Sequence, residues 1–422
     1  MKHYDLIVVG GGMTGTAAAV SAAREGLTVL LVEQSGALGG AACTCLVHPF
    51  MKYWTDVKDA SGNAEKRMLS RGFFEEMLDR MKAYGPDAIN GTQFNAEYTK
   101  LVLDQMTEEA GVEVLFHAAL CGVEKNGETL RAVQVATKAG VLRLEADYFI
   151  DCTGDADLAA QSGCPFHLGR AADSLCQPMT LCFRLSNVDV DAFFAHKPEI
   201  EALYQQWKQT GKITNPRENV LVFRTLNRGV LHFNSTRIVK LNPTDPFDVS
   251  KAERMARAQM MELFRLLKEN FDCCRNAELL MSASQIGVRE SRMIDGEYLL
   301  TETDIKNCTR FPDAIAAGNY DIDIHNPEGS GTSHYYFPDG AYYTIPYRAL
   351  QPKNASNLLV AGRCISSTHE AQASYRIMPI VTCLGQAAGT AAAVAKQAGV
   401  SVKQADVSVI QQKLKENGAF LG

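Results

Sequence analysis

Metal-binding and disulfide signatures are missing from this sequence. Its twelve cysteines include no Cys-x-x-Cys pair and no Cys/His spacing typical of zinc sites. We therefore predict no metal site, and we expect the cysteines to serve as small buried side chains in a reducing compartment. The opening residues, MKHYDLIVVG, contain no basic leader, apolar h-region or cleavage site, which predicts no export signal. These absences together predict a cytoplasmic protein.

An excess of positive charge is also missing. Charged residues make up 21% of the 422 residues and the formal net charge is -6, which argues against a nucleic-acid partner. One apolar stretch, residues 378–399, is rich in Ala and Gly, and Gln386 and Lys396 interrupt it. We interpret it as a buried helix that opens with Pro379 and packs closely against a flat surface, and not as a membrane span.

A nucleotide-binding pattern is present near the start of the chain. The run YDLIVV predicts a buried parallel strand, and the GGGMTG that follows it satisfies G-x-G-x-x-G. Gly10 permits the tight turn, Gly12 lets the backbone approach a diphosphate, and Gly15 lets the next helix pack on the strand. The diphosphate then lies at the positive end of that helix. A second strand, LTVLLVE, ends at Glu33, whose carboxylate can accept hydrogen bonds from a ribose.

Both NAD and FAD fit this fingerprint, and later segments favour FAD. The segments QSGALGGAACT, YFIDCTGDADL, NLLVAGRC and RIMPIVTCLGQAAG are spread from residue 34 to residue 389. With them the sequence resembles the FAD-dependent oxidoreductases that have a glutathione-reductase-like FAD domain. The segments SQIGVRESRMIDGEYLLTETDI and YTIPYRALQP also resemble a bacterial subgroup of unassigned substrate.

The resemblance implies an α/β fold and FAD, with noncovalent binding favoured. One position departs from the family: many relatives carry an acid after the late Ala-Gly pair, where it contacts the ribitol, and this sequence has Arg363. An arginine there could instead pair with the diphosphate. Besides Gly10, Gly12, Gly15 and Glu33, the matching positions imply cofactor contacts from Met13, Thr14, Gln34, Gly39, Gly40, Ala41, Ala119, Thr153, Gly154, Asp155, Gly362, Arg363, Ile377 and Met378.

The chain is expected to form two units. Alternating residues, with turns at Asn126-Gly127 and Ala139-Gly140, predict an antiparallel meander inserted before the YFIDCTGD strand. We assign residues 1–50, 97–165 and 350–422 to a Rossmann-like FAD-binding domain, and residues 51–96 and 166–349 to a second, α+β substrate or cap domain. In the second unit, SKAERMARAQMMELFRLLKENF predicts an amphipathic helix that buries Met260, Leu263, Phe264 and Leu267.

Two cysteines and a histidine, Cys43, Cys45 and His48, follow the second glycine pair. Disulfide reductases of this fold place a redox dithiol there, but they separate the cysteines by four residues and carry a second dinucleotide fold for NAD(P)H. Here only Thr44 lies between the cysteines, which fits disulfide geometry poorly, and no second strand–glycine–helix pattern is found. We therefore rank packing beside the flavin first, covalent attachment of the flavin second, a dithiol third and metal binding last.

Candidate catalytic residues lie in SSTHEAQASYRIMP, before the Ala-rich helix. His369 can act as a base or an acid near neutral pH, or it is a hydrogen-bonded loop residue. Arg376 is expected to contact an anionic group of cofactor or substrate, because an arginine beside a buried helix N-terminus needs such a partner. In GVRESRMIDGEY, strand alternation predicts a Glu290–Arg292 ion pair and leaves Arg289 on the other face to bind substrate.

Two further histidines, His325 and His334, lie in the Gly- and Pro-containing stretch HNPEGSGTSHYYFPDG, which predicts a loop. They contact the substrate from that loop or are merely exposed. A lone loop histidine is more often exposed, so neither carries the functional prediction.

The predicted function is that of an FAD-dependent dehydrogenase or reductase. It exchanges hydride between flavin N5 and a small polar metabolite, which could be anionic. A separate electron donor or acceptor is implied, because no internal NAD(P)H domain is found. A second hypothesis is an FAD-binding subunit that uses the flavin structurally or without net redox turnover, and a third is a thiol/disulfide flavoreductase using Cys43 and Cys45.

Overall fold

A mixed seven-stranded sheet forms the centre of the computed structural model, which describes residues 2–59 and 61–422. The helices are α1 (Met13–Arg24), α2 (Phe73–Ala83), α3 (Ala96–Glu109), α4 (Asp157–Gln161), α5 (Val190–Ala195), α6 (Lys197–Gln209), α7 (Pro246–Asn270), α8 (Glu302–Lys306), α9 (His369–Tyr375), α10 (Met378–Ala398) and α11 (Val407–Glu416). The strands are β1 (His3–Val9), β2 (Val29–Val32), β3 (Trp54–Lys58), β4 (Ala64–Met68), β5 (Ile89–Asn90), β6 (Gln93–Phe94), β7 (Glu113–Leu115), β8 (Ala119–Asn126), β9 (Thr129–Thr137), β10 (Gly140–Asp151), β11 (Phe166–Leu168), β12 (Phe183–Ser186), β13 (Val222–Arg224), β14 (Leu231–Phe233), β15 (Glu278–Ser282), β16 (Arg292–Ile294), β17 (Ala314–Gly318), β18 (Ile322–His325), β19 (Thr332–Tyr335), β20 (Tyr343–Pro346) and β21 (Leu358–Val360).

The central sheet joins a parallel layer to an antiparallel meander through the long strand β10. Strands β7, β2, β1, β10 and β21 pair in parallel, in that order. The first half of β10 pairs antiparallel with β9, and β9 pairs antiparallel with β8. The short connections after Asn126 and Thr137 make these hairpins. The predicted Rossmann-like α/β core with an antiparallel meander is therefore confirmed.

Helix α10 is a core helix. It is long and apolar enough to cross a membrane by length and composition, with a mean hydropathy of 1.4, but that window is fully buried inside the protein. It packs on α1 through small residues: a Cβ on Gly385 or Gly389 would overlap the carbonyl oxygen of Thr14 or Ala18, respectively. The prediction of a buried, closely packed helix is confirmed, and the surface that receives it is another helix.

A second, antiparallel sheet has the strand order β13-β14-β12-β15 and its own hydrophobic core. Helix α7 contributes Met260, Leu263 and Leu267 to that core, and Phe264 packs against it while partly buried. This confirms the predicted buried stripe.

The core beneath the parallel sheet continues across the boundary predicted at residue 97. Phe74 and Met77 of α2 belong to the same hydrophobic cluster as Leu6 and Val8 of β1. The proposed division of the chain into two domains stays a prediction.

Candidate active site

Two glycine-rich turns lie side by side at the end of β1. Gly12 and Gly39 form a parallel bridge, and the Gly39 N–H donates to the Gly11 carbonyl over 2.9 Å. A Cβ on Gly40 would stand 2.9 Å from the Gly12 Cα, so this approach requires glycine. The structure thus brings together the glycines of residues 10–15 and the Gly39-Gly40 pair, which are 24 residues or more apart in the sequence.

The first glycine turn also fixes the start of α1. Gly10 has φ +101°, a conformation that favours glycine, and a Cβ on Gly15 would overlap the Gly10 carbonyl oxygen. The N-cap position of α1, Gly12, offers no side chain to the first turn of the helix. The N–H groups of that turn and the positive end of the helix dipole are therefore available to an anion.

The Glu33 carboxylate stabilises the same turn through hydrogen bonds. The Gly11 N–H donates to its Oε2 over 2.6 Å, and the Ser35 N–H donates to its Oε1 over 2.7 Å. Each carboxylate oxygen can accept a further hydrogen bond, as a ribose would require. Gln34 and Ala119 are exposed beside it, whereas Met13 and Thr14 are buried.

Arg363 pairs with Asp155, its Nη2 being 2.6 Å from the carboxylate. Burial alone would lower the pKa of Arg363, but the charge and hydrogen bond of Asp155, together with the nearby thiols, outweigh burial and raise the pKa. Its Nε is buried and has no hydrogen-bond partner. Gly154, with φ +82°, is pressed against the guanidinium, where a Cβ would overlap Nη1. Two residues predicted to contact the cofactor, Asp155 and Arg363, therefore contact each other.

The amino-terminal end of α10 reaches the same region. Its N-cap, Ile377, makes no side-chain capping hydrogen bond. Gly385 packs at the level of Thr14, and seven residues of α10 precede Gly385, so α10 extends roughly 10 Å beyond that point of α1. Gly362 lies beside Thr14 and has a φ of +111°. A Cβ on Gly362 would stand 3.6 Å from the Thr14 hydroxyl.

His369 is the first residue of α9, not a loop residue, and it forms a buried pair with Glu290. Its Nδ1 lies 2.7 and 2.8 Å from the two Glu290 oxygens, and the side chains are 5% and 0% exposed. The Gln177 N–H also donates to Glu290 Oε2 over 2.8 Å. A carboxylate on Nδ1 fixes the ring orientation and leaves Nε2 as the nitrogen that can exchange a proton.

The predicted Glu290–Arg292 ion pair is wrong. Glu290 pairs with His369, while the Arg292 guanidinium lies 2.8 Å from the Asp157 carboxylate and donates to the Asp155 carbonyl over 3.0 Å. The regular strand begins only at Arg292, so alternation along a strand does not govern Glu290.

Arg289 and Arg376 belong to a cluster of arginines. Arg289 donates to the Pro178 carbonyl over 2.7 Å and to the Thr180 hydroxyl over 2.5 Å. Burial, followed by the repulsion of Arg376 and other arginines, lowers the pKa of Arg289 to about 9. Arg376 lies 3.6 Å from the Asp323 carboxylate, and its Nε is buried without a partner.

Two more arginines, Arg217 and Arg237, complete the cluster and are 3% and 1% exposed. Arg237 pairs with Glu218 over 2.9 Å and lies 3.0 Å from His325 Nδ1. Burial, followed by repulsion from Arg217, lowers the pKa of Arg237 to about 10. Nη1 of Arg217 is buried without a partner. These orphaned nitrogens are suited to a ligand that brings hydrogen-bond acceptors.

The acids of the cluster are too few to balance its arginines. Burial alone would raise the pKa of Glu218, but backbone N–H groups and Arg237 outweigh it and hold that pKa at about 2. Burial likewise would raise the pKa of Asp323, but His325 and Arg376 hold it well below its usual range. Burial and Arg289 lower the pKa of His325 to about 3, so it adds no charge. Four arginines thus face the two carboxylates of Glu218 and Asp323.

His334 lies at the edge of this cluster, on β19, and not in a loop. Its Nδ1 lies 2.6 Å from the Asp321 carboxylate, and its ring stacks on Tyr336. The third nearby acid, Asp321, is therefore already paired with His334.

Gln177 connects the arginine cluster to the His369–Glu290 pair. Its backbone N–H donates to the Glu290 carboxylate. Its side-chain Oε1 accepts from the His325 N–H over 3.3 Å, and Nη2 of Arg376 lies 3.5 Å from the same oxygen. Its Nε2 donates to Gln372, which in turn donates to the Arg289 carbonyl. The proton-transfer candidate and the anion-binding candidates therefore form one hydrogen-bonded site.

Comparison with known proteins supports the nucleotide-binding interpretation. Residues 5–414 match the FAD dependent oxidoreductase family. The chain belongs to this family. A dihydrolipoyl dehydrogenase of Trypanosoma brucei brucei is 35% identical over 99 residues, which are 22% of this chain and 21% of that protein. A ferredoxin--NADP reductase of Mycoplasmoides gallisepticum is 33% identical over 84 residues, 20% of this chain and 23% of that protein. The oxidoreductase thus matches only about a fifth of the length of these relatives.

Solved structures show distant similarity. A geranylgeranyl bacteriochlorophyll reductase-like protein from Thermoplasma acidophilum is 13% identical, with a TM-score of 0.46, over 99% of this chain and 83% of that chain. The p-nitrophenol 4-monooxygenase PnpA from Pseudomonas putida DLL-E4 is 11% identical, with a TM-score of 0.45, over 98% of this chain and 84% of that chain.

The residues at the glycine turns fit the FAD that this family uses. The N-terminus of α1, which has no side-chain cap, and the close backbone approach at Gly12 and Gly40 suit a diphosphate. The orphaned Nε of Arg363 could donate to the same anion. Which of the predicted contacts FAD makes stays a prediction.

Cys43 and Cys45 of the oxidoreductase face different neighbours. Cys43 Sγ lies 3.6 Å from the Ala96 carbonyl, and Cys45 Sγ lies 3.8 Å from the Ile286 carbonyl. Burial raises the pKa of Cys43 to about 12 and also raises the pKa of Cys45. Thiols held protonated are poor nucleophiles, so this geometry favours packing over a dithiol or a covalent flavin link. Among residues 2–59 and 61–422, no group of three His, Cys, Asp or Glu side chains is arranged to hold a metal ion.

A Cys43→Ser/Cys45→Ser double variant is expected to keep its flavin and its turnover. The reason is that Cys43 is buried and Cys45 is half-buried, and burial raises the pKa of both thiols. Absorbance at 450 nm gives the flavin content, and acid precipitation of the parent protein is expected to leave all the yellow colour in the supernatant. Colour in the pellet, or a colourless double variant that is still folded, would contradict the packing interpretation.

Sequence reasoning missed several residues of this site, namely Gln177, Arg217, Glu218, Arg237 and Asp323, as well as the role of Glu290. No local pattern marks them, because their partners are distant in the chain. Glu290 and His369, for example, are separated by 79 positions. Only the density of arginines between residues 166 and 349 hints at an anion site.

Proposed function

We propose that this FAD-dependent oxidoreductase exchanges hydride with a small anionic metabolite bound by Arg289 and Arg376, while His369 transfers the accompanying proton. FAD, when bound, supplies the two-electron chemistry by accepting or donating hydride at N5. The observation that carries the proposal is the arginine cluster, whose four cations face two carboxylates and connect through Gln177 to the His369–Glu290 pair.

The arginines select a substrate with an acid group. An unpaired buried cation is costly, and a carboxylate can satisfy both its charge and its hydrogen-bond donors. The buried Nε of Arg376 and Nη1 of Arg217 are donors that a carboxylate could fill. Binding there holds the substrate in one orientation, which is the protein's main contribution to rate besides proton transfer.

His369 manages the proton. Oxidation of a C–OH or C–N group needs a base, and reduction of C=C or C=O needs an acid. With Nδ1 held by Glu290, Nε2 of His369 performs either task. No second dinucleotide-binding pattern occurs in the sequence, so we propose that electrons pass to or from a separate partner.

Anaerobic mixing with a panel of small carboxylic acids tests this function. Hydroxy and amino acids are expected to bleach the 450 nm flavin band if the enzyme oxidises, and unsaturated or keto acids to restore the colour of the reduced enzyme if it reduces. Methyl esters of the same compounds serve as neutral controls and should react poorly. Methyl esters that react as fast as the corresponding acids would contradict the anion-binding proposal. A flavin that no compound affects would favour the alternative of an FAD-binding module without redox turnover.

Arg289→Gln is expected to raise the KM of the identified substrate by about 10- to 100-fold, because a hydrogen bond to a charged group contributes about 1.5–3 kcal/mol. The exposed Arg257, which pairs with Glu253 on α7, gives the control variant Arg257→Gln. Steady-state kinetics with both variants measures the effect. An unchanged KM in Arg289→Gln would remove this residue from the substrate site.

A further inference from the structure

Buried nitrogens without hydrogen-bond partners collect where β12 and β14 face the loop after the second glycine turn. They are Nδ1 and Nε2 of His48, the same two atoms of His232, and Nε of Arg184. His48 and His232 are 1% and 0% exposed, and their ring centroids are 5.4 Å apart. Arg184 lies directly opposite His232 in the ladder between β12 and β14. Both side chains therefore leave the same face of the sheet.

Apart from a backbone contact between His48 and Arg224 of β13, the surroundings of this cluster provide no partner for it. Aromatic rings form its walls: Phe94 lies 5.0 Å from His48, and Phe223 lies 6.2 Å from His232. Within the described ranges, 2–59 and 61–422, no carboxylate lies at ion-pair distance from Arg184. Buried polar groups are nearly always hydrogen-bonded in folded proteins, and the N–H donors among these nitrogens are suited to a ligand that brings acceptors.

We propose that Arg184, His48 and His232 form a binding site for one carboxylate group. A guanidinium donates two parallel hydrogen bonds to a carboxylate, and each neutral imidazole donates one more. Together they fill the four acceptor positions of the carboxylate. One positive charge balances one carboxylate, whereas a doubly charged phosphate would need a second cation in this apolar setting.

Both imidazoles are neutral before a ligand arrives. Burial, followed by repulsion from Arg184, lowers the pKa of His48 to about 4. Burial, followed by the electrostatic influence of His48 and Arg184, lowers the pKa of His232 well below its usual range. Each ring therefore carries one N–H donor, as the proposed site requires.

This site shares a sheet face with Arg289. Arg289 donates to Thr180, four residues before Arg184, and to Asn234, two residues after His232. Four residues of extended chain span roughly 13 Å. The carboxylate could therefore belong to the far end of a double-headed substrate or to a separate acid. The inference stands without the proposed substrate role of Arg289.

Titration of the FAD-loaded enzyme with acetate, glutarate and pimelate tests the site. The readouts are the melting temperature and the NMR signals of ¹⁵N-labelled histidine side chains. We expect at least one of these acids to raise the melting temperature of the parent and to shift two imidazole signals. Arg184→Gln should weaken that binding at least tenfold, because the remaining imidazoles supply no charge. Arg257→Gln is the matched control, since Arg257 is exposed on α7 and pairs with Glu253.

Comparison with Arg289→Gln separates the sources of the carboxylate. Equal loss of pimelate binding in Arg184→Gln and Arg289→Gln would mean that one double-headed acid spans both sites. Loss in Arg184→Gln alone would mean a separate acid. Binding that Arg289→Gln abolishes and Arg184→Gln leaves intact would overturn this inference but not the proposed function. Absence of any imidazole shift in the parent would also overturn it, and this readout still decides if Arg184→Gln fails to fold.

Discussion

Replacement of Gly15 by alanine is expected to yield a protein that binds little or no FAD. The new Cβ would overlap the Gly10 carbonyl oxygen, so α1 must move away from β1 and from the turn that presents its first N–H groups. Overpacking of this kind costs about 1–3 kcal/mol of stability. The loss of anion binding adds to that cost, because the cofactor itself stabilises the fold by mass action.

The ratio of 450 nm to 280 nm absorbance after purification, together with the melting temperature, measures this effect. Gly329→Ala is the control, because a Cβ at Gly329 meets no atom within 4 Å and the residue does not require a positive φ. A Gly15→Ala protein with full flavin content and an unchanged melting temperature would contradict the placement of the cofactor on this turn.

His369→Gln is expected to lower kcat by about 10²- to 10⁴-fold, the usual contribution of a positioned acid or base. The FAD content should remain that of the parent, since His369 contacts Glu290 and not the glycine turns. Rapid-reaction kinetics of flavin reduction, or of its reoxidation, is the decisive measurement. A rate within a factor of three of the parent would exclude His369 from proton transfer.

Glu290 is proposed as a positioning residue, and Glu290→Gln tests that role. The amide keeps a hydrogen bond to His369 Nδ1 but removes the negative charge. We expect a smaller loss of kcat than in His369→Gln, and a shift of the acidic limb of the pH–rate profile to lower pH. A purely structural role would leave the shape of that profile unchanged. Glu290→Asp, which keeps the charge, should recover part of the parent profile.

The nucleotide-binding half of this protein could be predicted because its signals are local. The first strand, the glycine turn, the helix and Glu33 follow one another within thirty residues. The conformation of each element is determined by the residues within it. The meander before β10 was readable for the same reason, through Gly127 and Gly140 at its turns. The family resemblance then supplied the cofactor, which the fingerprint alone could not distinguish from NAD.

The candidate active site was only partly predictable, because its contacts join distant segments. His369 was identified, but Glu290 was assigned to the nearer Arg292, since alternation along a strand considers neighbours only. Arg289 and Arg376 were identified as anion-binding candidates, whereas Arg217 and Arg237 come from connections around β13 and β14. The sheet of β13, β14, β12 and β15 joins strands of three to five residues, which periodicity cannot detect.

The seating of α10 against α1 has a consequence for how the protein is made. The two helices are separated by more than 350 positions, and β21, which flanks β10, is almost as far from β1. A chain emerging from the ribosome therefore exposes the apolar sides of β1 and α1 until residues 358–398 have been synthesised. Contacts between such distant segments slow folding and leave aggregation-prone apolar surface exposed until they form. Chaperone assistance during translation should accordingly raise the yield of the yellow holoenzyme.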